Sequence, residues 1–222
     1  MTPSAAQHTE LRLLARACDR AGLVTAFGHC SLRLDADAFL VSAACPMGLI
    51  TPEHQGTVVW LDQPMPEGVL GEVRMHREIY RRRPDVNAVV RFVSPNVTAL
   101  AALGQTPRPR HGFGAYFAPK VPMWRDPALV RSDAAAAEVA LKMGGSPCVV
   151  VSVNGAVVAA SNAAQALALA IFLEDAARVE LIAIQSGRLD MTGLTDEQAK
   201  SRAVWGGQVA ERIWQYWTSG LQ

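Results

Sequence analysis

Long apolar runs, runs of one charge and paired cysteines are all scarce in this 222-residue chain, and each shortage removes a class of function. No stretch of five like charges occurs and the formal net charge is +1, so the clustered basic footprint of a nucleic-acid reader is missing. The short cluster Arg81-Arg82-Arg83, just before Pro84, is expected to be a solvated helix end. The longest apolar candidate for a membrane span, Ala163 to Ile184, is interrupted on a helical period by Glu174, Asp175, Arg178 and Glu180. Met1 to Glu10 is polar and lacks the apolar centre of a secretory signal. The four cysteines, Cys18, Cys30, Cys45 and Cys148, form no C-x-x-C pair and sit in mostly apolar surroundings, which suits reduced thiols in a cytoplasmic protein. The expectation is a cytoplasmic protein with neither nucleic acid nor membrane as partner.

What is present is material for a core. Half of the residues are apolar, and the length suits one domain over 1–222. Helical spacing from Glu10 to Ala21 stops at Gly22, a C-cap residue type. Ser31–Leu34 and Phe39–Ser42 predict a hairpin around Asp35-Ala36-Asp37, and Val58–Leu61 a third strand. Arg74 to Arg83 predicts a helix stopped before Pro84, and Val86 to Val93 a buried central strand. A short helix, Val97–Leu103, precedes a long proline-framed loop, Pro107 to Pro122, of a length that is often functional. Asp133–Met143 predicts a helix with Ser132 or Asp133 as its cap. Strands Cys148–Val153 and Ala156–Ala160 flank Asn154-Gly155, a strong hairpin signal. Long helices follow over about 163–185 and 196–217. The fold class expected is α/β: a three-layer α/β/α arrangement with a mostly antiparallel central sheet.

Four landmarks occur in order. They are Gly28-His29-Cys30-Ser31-Leu32-Arg33; Leu49-Ile50-Thr51-Pro52-Glu53; Glu72-x-x-x-His76-x-x-Ile79-Tyr80-x-x-Arg83-Pro84-Asp85-Val86-x-Ala88-Val89-Val90; and Asn154-Gly155-Ala156-Val157-Val158 with Phe172 to Arg178 beyond it. Together they resemble the class II aldolase/adducin family over roughly Leu11 to Gly187. His29 in place of an asparagine resembles most the branch of aromatic and pyridine carboxylate decarboxylases. The resemblance implies a homotetramer with sites between subunits, and a divalent metal held by an H-x-H pair plus a later histidine. Here the H-x-H positions read Arg91-Phe92-Val93, and Asn154 stands at or beside the later histidine. A guanidinium only donates and valine has no ligand atom, so no metal and no other cofactor are expected. Leu70-Gly71 replace the family's phosphate-holding serines and Cys45 its phosphate-side glycine, which argues against a sugar phosphate.

Arg91, in an apolar strand, needs a partner because an unpaired buried charge is costly. Two readings stand: it pairs with Glu72 and plugs a vacated cavity, or it holds a substrate carboxylate or oxyanion. His29 is either a general acid/base or a loop residue capping the backbone. His76 shares a helix face with Glu72 and is expected to be a polar surface residue. The candidate catalytic residues are Glu72, Arg91 and His29, with Asn154, Ser31, Cys45, His111 and Tyr116 as substrate-binding residues. Lys120 joins His111 and Tyr116 on the loop, as cleft mouth or as plain surface. Trp205, Trp214 and Trp217 form an aromatic stripe for packing or subunit contact. Two functions lead: a metal-independent carbon–carbon lyase for a small carboxylated aromatic or keto acid, or a non-catalytic, adducin-like association domain; a third, a metal enzyme with relocated ligands, requires His29, Glu72, His76 or His111 to converge.

Overall fold

The apolar runs of the sequence become the strands of one seven-stranded sheet in a computed structural model, which describes residues 2–187 and 193–221; Met1 and Gln222, the ends of the expected domain, lie outside these. In chain order the strands are β1 (Gly28–Arg33), β2 (Ala38–Val41), β3 (Thr57–Trp60), β4 (Ala88–Phe92), β5 (Met123–Trp124), β6 (Cys148–Val151) and β7 (Ala156–Ala160). They lie side by side as β3-β2-β1-β4-β7-β6-β5, antiparallel throughout except for β5 with β6. The helices are α1 (Ala5–Arg20), α2 (Arg74–Arg82), α3 (Pro95–Ala102), α4 (Asp133–Met143), α5 (Ala163–Gln185), α6 (Asp196–Arg202) and α7 (Val209–Thr218).

Side chains alternate across a strand, so each central strand feeds two cores. On one face Cys30, Leu32, Val90, Phe92, Val150 and Val158 pack with α1, α3 and α5, and α7 leans on them. On the other, Phe39, Val41, Val89, Val149 and Val157 pack with α2 and α4. Helices thus cover both faces of a mostly antiparallel sheet, the expected α/β arrangement. No helix among the described residues is long and apolar enough to cross a membrane.

Several boundaries differ from expectation for local reasons. Helix α1 begins at Ala5 because Ser4 and Gln7 form a capping box, with Gln7 N donating to Ser4 Oγ at 3.2 Å and Ser4 N to Gln7 Oε1 at 2.8 Å. Strand β1 begins at Gly28 because β4 pairs with it that far, which places His29 inside a strand and not on a turn. Strand β6 ends at Val151, not Val153: Asn154 N returns to the Val151 carbonyl at 3.0 Å, and Val153 takes the left-handed φ of 53°. The last expected helix is two, α6 and α7, separated by a stretch holding Gly206 and Gly207. Strand β5 has no counterpart among the expected strands, because two residues are too few to show a period.

A buried histidine–arginine candidate site

The alternation that sends Cys30, Leu32 and Val90 into one core sends His29, Ser31 and Arg91 to the opposite face, under α2. His29 stands directly across from Arg91 in the β1–β4 ladder, so their Cβ atoms are about 5 Å apart. Helix α2 contributes His76 and Tyr80, one turn apart on the face it turns to the sheet. The two imidazoles are sealed, at 2 % exposure for His29 and 0 % for His76, and Arg91 is 6 % exposed.

The polar atoms form a line. His29 Nδ1 meets His76 Nε2 at 2.9 Å, His76 Nδ1 meets Ser31 Oγ at 2.6 Å, and Ser31 Oγ meets Tyr80 Oη at 3.0 Å. Tyr80 Oη also donates to the Ser31 carbonyl at 3.1 Å. Burial, and after it the Arg91 charge, pushes His76 down to about 3. Burial, the His76 ring and Arg91 push His29 well below its ordinary value. Both rings are therefore neutral at pH 7. Burial raises the Tyr80 phenol, which stays protonated.

Arg91 Nη2 donates to the Asn154 carbonyl at 3.2 Å and to the Asn154 side-chain oxygen. Burial lowers the guanidinium from its ordinary value, and the Glu72 charge opposes that. Glu72, on a 3-10 turn (Gly71–Val73) leading into α2, accepts from Arg131 Nε at 3.2 Å. The Arg91–Glu72 ion pair of a plugged cavity is thus not what forms: Arg91 goes to Asn154 and Glu72 to Arg131. Two buried atoms are left without a hydrogen-bond partner in this region, His29 Nε2 and Arg91 Nε.

The Asn154 loop is held from both ends. Val151 N donates to the Gly155 carbonyl at 2.9 Å, and Gly155 has φ of 81°. A Cβ at Gly155 would lie 2.0 Å from the Phe92 carbonyl oxygen, so only glycine lets the loop tip close on the end of β4. That closure sets Asn154 against Arg91.

The structure brings together His29, Ser31, Arg91 and Asn154, with Glu72 charge-coupled to them. It does not bring in the other three candidates. Cys45, half-buried on the loop after β2, packs against the α1/α5-side core, and burial raises its thiol. His111 faces Asp175 of α5 at 3.5 Å, and Tyr116 Oη donates to the Val204 carbonyl at 2.6 Å, its ring lying against Phe172 and Trp205. Both are on the α5 side of the sheet. Lys120 is exposed, and Trp205, Trp214 and Trp217 pack, partly buried, against the α1/α5-side core.

Two expectations are corrected. His76 is not a surface residue, because α2 turns it onto the sheet. His29 does not cap a backbone group, since its Nδ1 is taken by His76. Tyr80 belongs to the site although it is not among the candidates drawn from the sequence. Its signal is present there: Glu72, His76 and Tyr80 recur at intervals of four, a single helical stripe.

The donor set does not suit the divalent metal that the resemblance implies. Arg91 and Val93 offer no lone pair, Asn154 Oδ1 is taken by Arg91, and His29 and His76 spend a ring nitrogen each on the other. Among the described residues no group of three or more His, Cys, Asp or Glu is placed to hold a metal ion. A cleft of about 980 Å³ lies elsewhere, between α5, α7 and the end of α1, lined by Arg20, Phe113, Phe172 and Trp217.

Comparison with known proteins agrees with this fold. Residues 9–181 match the family described as Class II Aldolase and Adducin N-terminal domain. A 3,4-dihydroxyphthalate decarboxylase of Arthrobacter keyseri is 34 % identical over 180 residues, 72 % of this chain and 71 % of the relative. One from Terrabacter sp. (strain DBF63) is 31 % identical over 192 residues, 78 % of this chain and 80 % of the relative. The crystal structure of L-fuculose-1-phosphate aldolase from Thermus thermophilus superposes with a TM-score of 0.75 at 24 % identity, covering 86 % of this chain and all of that one, and shows the shared fold. The matched span and the identity to these relatives leave one assignment: the chain belongs to the class II aldolase and adducin N-terminal domain family.

Proposed function

We propose that this protein is a metal-independent carbon–carbon lyase that decarboxylates a small aromatic carboxylate. The observation that carries the reading is a buried, neutral histidine pair ending in an unpartnered Nε2 beside an arginine with an unpartnered Nε. The decarboxylases among its relatives support the reaction class.

A substrate carboxylate exchanges with Asn154 Oδ1 on Arg91, whose fork suits two oxygens. The reaction replaces one bond: Ar–CO2⁻ + H⁺ gives Ar–H + CO2. Negative charge that develops on the ring is stabilised by the guanidinium, at a buried position with little water to screen it. Glu72 and His29 move the proton. A keto acid cleaved in the retro-aldol direction makes the same demand, a cation beside a proton carrier. Ser31 completes the proposed binding set, while Cys45, His111 and Tyr116 lie on the other side of the sheet, away from the buried cluster. The family resemblance supports a homotetramer, and free cysteines at 18, 30, 45 and 148 support a cytoplasmic setting.

A second reading, the non-catalytic association domain, draws on the low exposure of Arg91. Incubation with 3,4-dihydroxyphthalate in excess chelator, with CO2 and dihydroxybenzoate measured, separates the two. Turnover that survives chelation supports the lyase. Turnover abolished by chelation and restored by manganese or zinc sinks the metal-free mechanism. No turnover of aromatic or keto acids leaves the association domain.

A further inference from the structure

The cleft of about 980 Å³ on the α5 side takes no part in the proposed reaction. Its size is at the upper end of the roughly 300–1,000 Å³ that holds drug-sized ligands, and far exceeds what one benzene ring fills. Two elements build its apolar wall. On α7, Val209, Ile213 and Trp217 recur at intervals of four and pack against the α1/α5-side core. The neighbouring row, Arg212 and Tyr216, is left toward the opening, with Tyr216 71 % exposed. The proline-framed loop brings Phe113, whose ring stacks on the buried Phe172 of α5 at 4.3 Å and 4°. Phe113 is itself 47 % exposed, so the far side of that stack meets water.

The charge in the cleft is of one sign. Arg20 and Arg212 line it, and no Asp or Glu among the described residues does. Arg20 Nη1 donates to the Trp217 carbonyl at 3.3 Å and to the Ser219 carbonyl, which anchors the guanidinium at the end of α7. Among the described residues, Arg20 Nε and Nη2 have no partner, and neither does the Arg212 side chain. Glu211, the acid next to Arg212, lies on another side of α7, where it lines a separate hollow with Glu10 and Trp214. Aromatic surface left in water is unfavourable, and two unpaired guanidiniums at its edge attract a negative charge. An anion with a flat apolar body answers both.

We propose that this cleft binds an aromatic anion of two or more rings, its flat body laid on Phe113 and Trp217 and its carboxylate met by Arg20 and Arg212. A fatty acid would answer the charge but leave the aromatic lining without a stacking partner. A second copy of the chain docked here through a two-fold axis would set the two arginines against the same two residues, like charge on like. The cleft is on the face of the sheet opposite His29 and Arg91, and it stands independently of the decarboxylase reading.

Calorimetry on the full-length protein with 2-naphthoate, the neutral 2-naphthalenemethanol and decanoate tests this. 2-Naphthoate is expected to bind about tenfold more tightly than the alcohol, the value of one charge-assisted hydrogen bond, and more tightly than decanoate. No binding of 2-naphthoate at millimolar concentration overturns the proposal, as does an affinity no better than that of either competitor. Arg212 is exposed and bonds nothing among the described residues, so Arg212→Gln keeps the fold. It should weaken 2-naphthoate by about tenfold and leave the alcohol unchanged; an unchanged 2-naphthoate affinity overturns the proposal. Phe113→Ala should weaken both ring ligands while circular dichroism stays the same, and undiminished binding there overturns the stacking. Arg91→Met locates the event: an unchanged affinity keeps it in the cleft, whereas a lost one places it under α2 and overturns the proposal. A Tyr216→Ser protein that sediments as a smaller species than the wild type shows a second copy covering the cleft and overturns it too. 2-Naphthoate held in this way by a protein that decarboxylates nothing would uphold the cleft and refute the decarboxylase reading alone.

Discussion

Two buried polar clusters lie on opposite sides of the sheet, and they are finished differently. On the α5 side Glu180, 1 % exposed, takes Arg108 Nη2 at 2.8 Å, Arg110 Nε at 2.6 Å and the Arg108 backbone N–H at 3.3 Å. Burial pushes its carboxyl up, but the hydrogen bonds from Arg110 and Arg108 outweigh this and hold it below its ordinary value. Each oxygen has its donors, and the cluster pins the proline-framed loop to α5. On the α2 side the line from Tyr80 to His29 stops at a nitrogen with no partner, and Arg91 keeps an unused Nε. A closed cluster stabilises; the open-ended one is where the proposed function places the substrate.

Substitutions sharpen that contrast. Arg91→Met is expected to lower decarboxylation by on the order of a thousandfold, about 4 kcal/mol of transition-state stabilisation. Steady-state kinetics on 3,4-dihydroxyphthalate measures this, and a loss under tenfold would remove Arg91 from the chemistry. Glu180→Ala should do the reverse: about 3 kcal/mol less stable in urea unfolding, because the pair it makes with Arg110, buried at both ends, is lost, with turnover per folded molecule unchanged.

Acid separates the clusters too. His29 and His76 are neutral when folded and protonate near their ordinary value of 6.5 once unfolded. Between about pH 6.5 and about 3 the unfolded chain binds more protons, so stability is complete above that window and falls as pH is lowered through it. Each histidine contributes up to about 1.4 kcal/mol per pH unit, and His76→Gln should flatten the acid limb measured by unfolding at successive pH values. An equally steep limb in that variant would place the sensitivity elsewhere. Val153→Gly, at a φ of 53° that β-branched residues rarely adopt, should raise stability by about 1 kcal/mol. Smallest of all, Arg131→Ala removes a pair in which the arginine is 64 % exposed, and should shift stability by less than about 0.5 kcal/mol.

The sequence is most informative where periodicity speaks. The buried strand around Val89, the α2 stripe and the order of landmarks all lead to the observed layers. It is less informative about which side chains meet. His76 reads as an ordinary polar helix residue until α2 is laid on β1, because contact between positions 29 and 76 depends on tertiary packing and leaves no local pattern. The same limit explains Arg91: its need for a partner is legible, but choosing Asn154 over Glu72 requires the loop geometry around Val153 and Gly155. His111 and Tyr116 are linked to the site by loop composition alone, and composition does not say which face of a sheet a loop will cover.

Gly155 carries a consequence for which neighbouring positions can be changed. Its backbone rests so close to the Phe92 carbonyl that position 155 cannot vary without reshaping the loop. Position 154 contributes a side chain to Arg91 but is not needed to shape the turn in the same way. Exchanging residue 154 therefore changes the side chain that Arg91 meets while the frame of the loop stays constant. One immovable glycine leaves its neighbour free to change the partner of a buried charge.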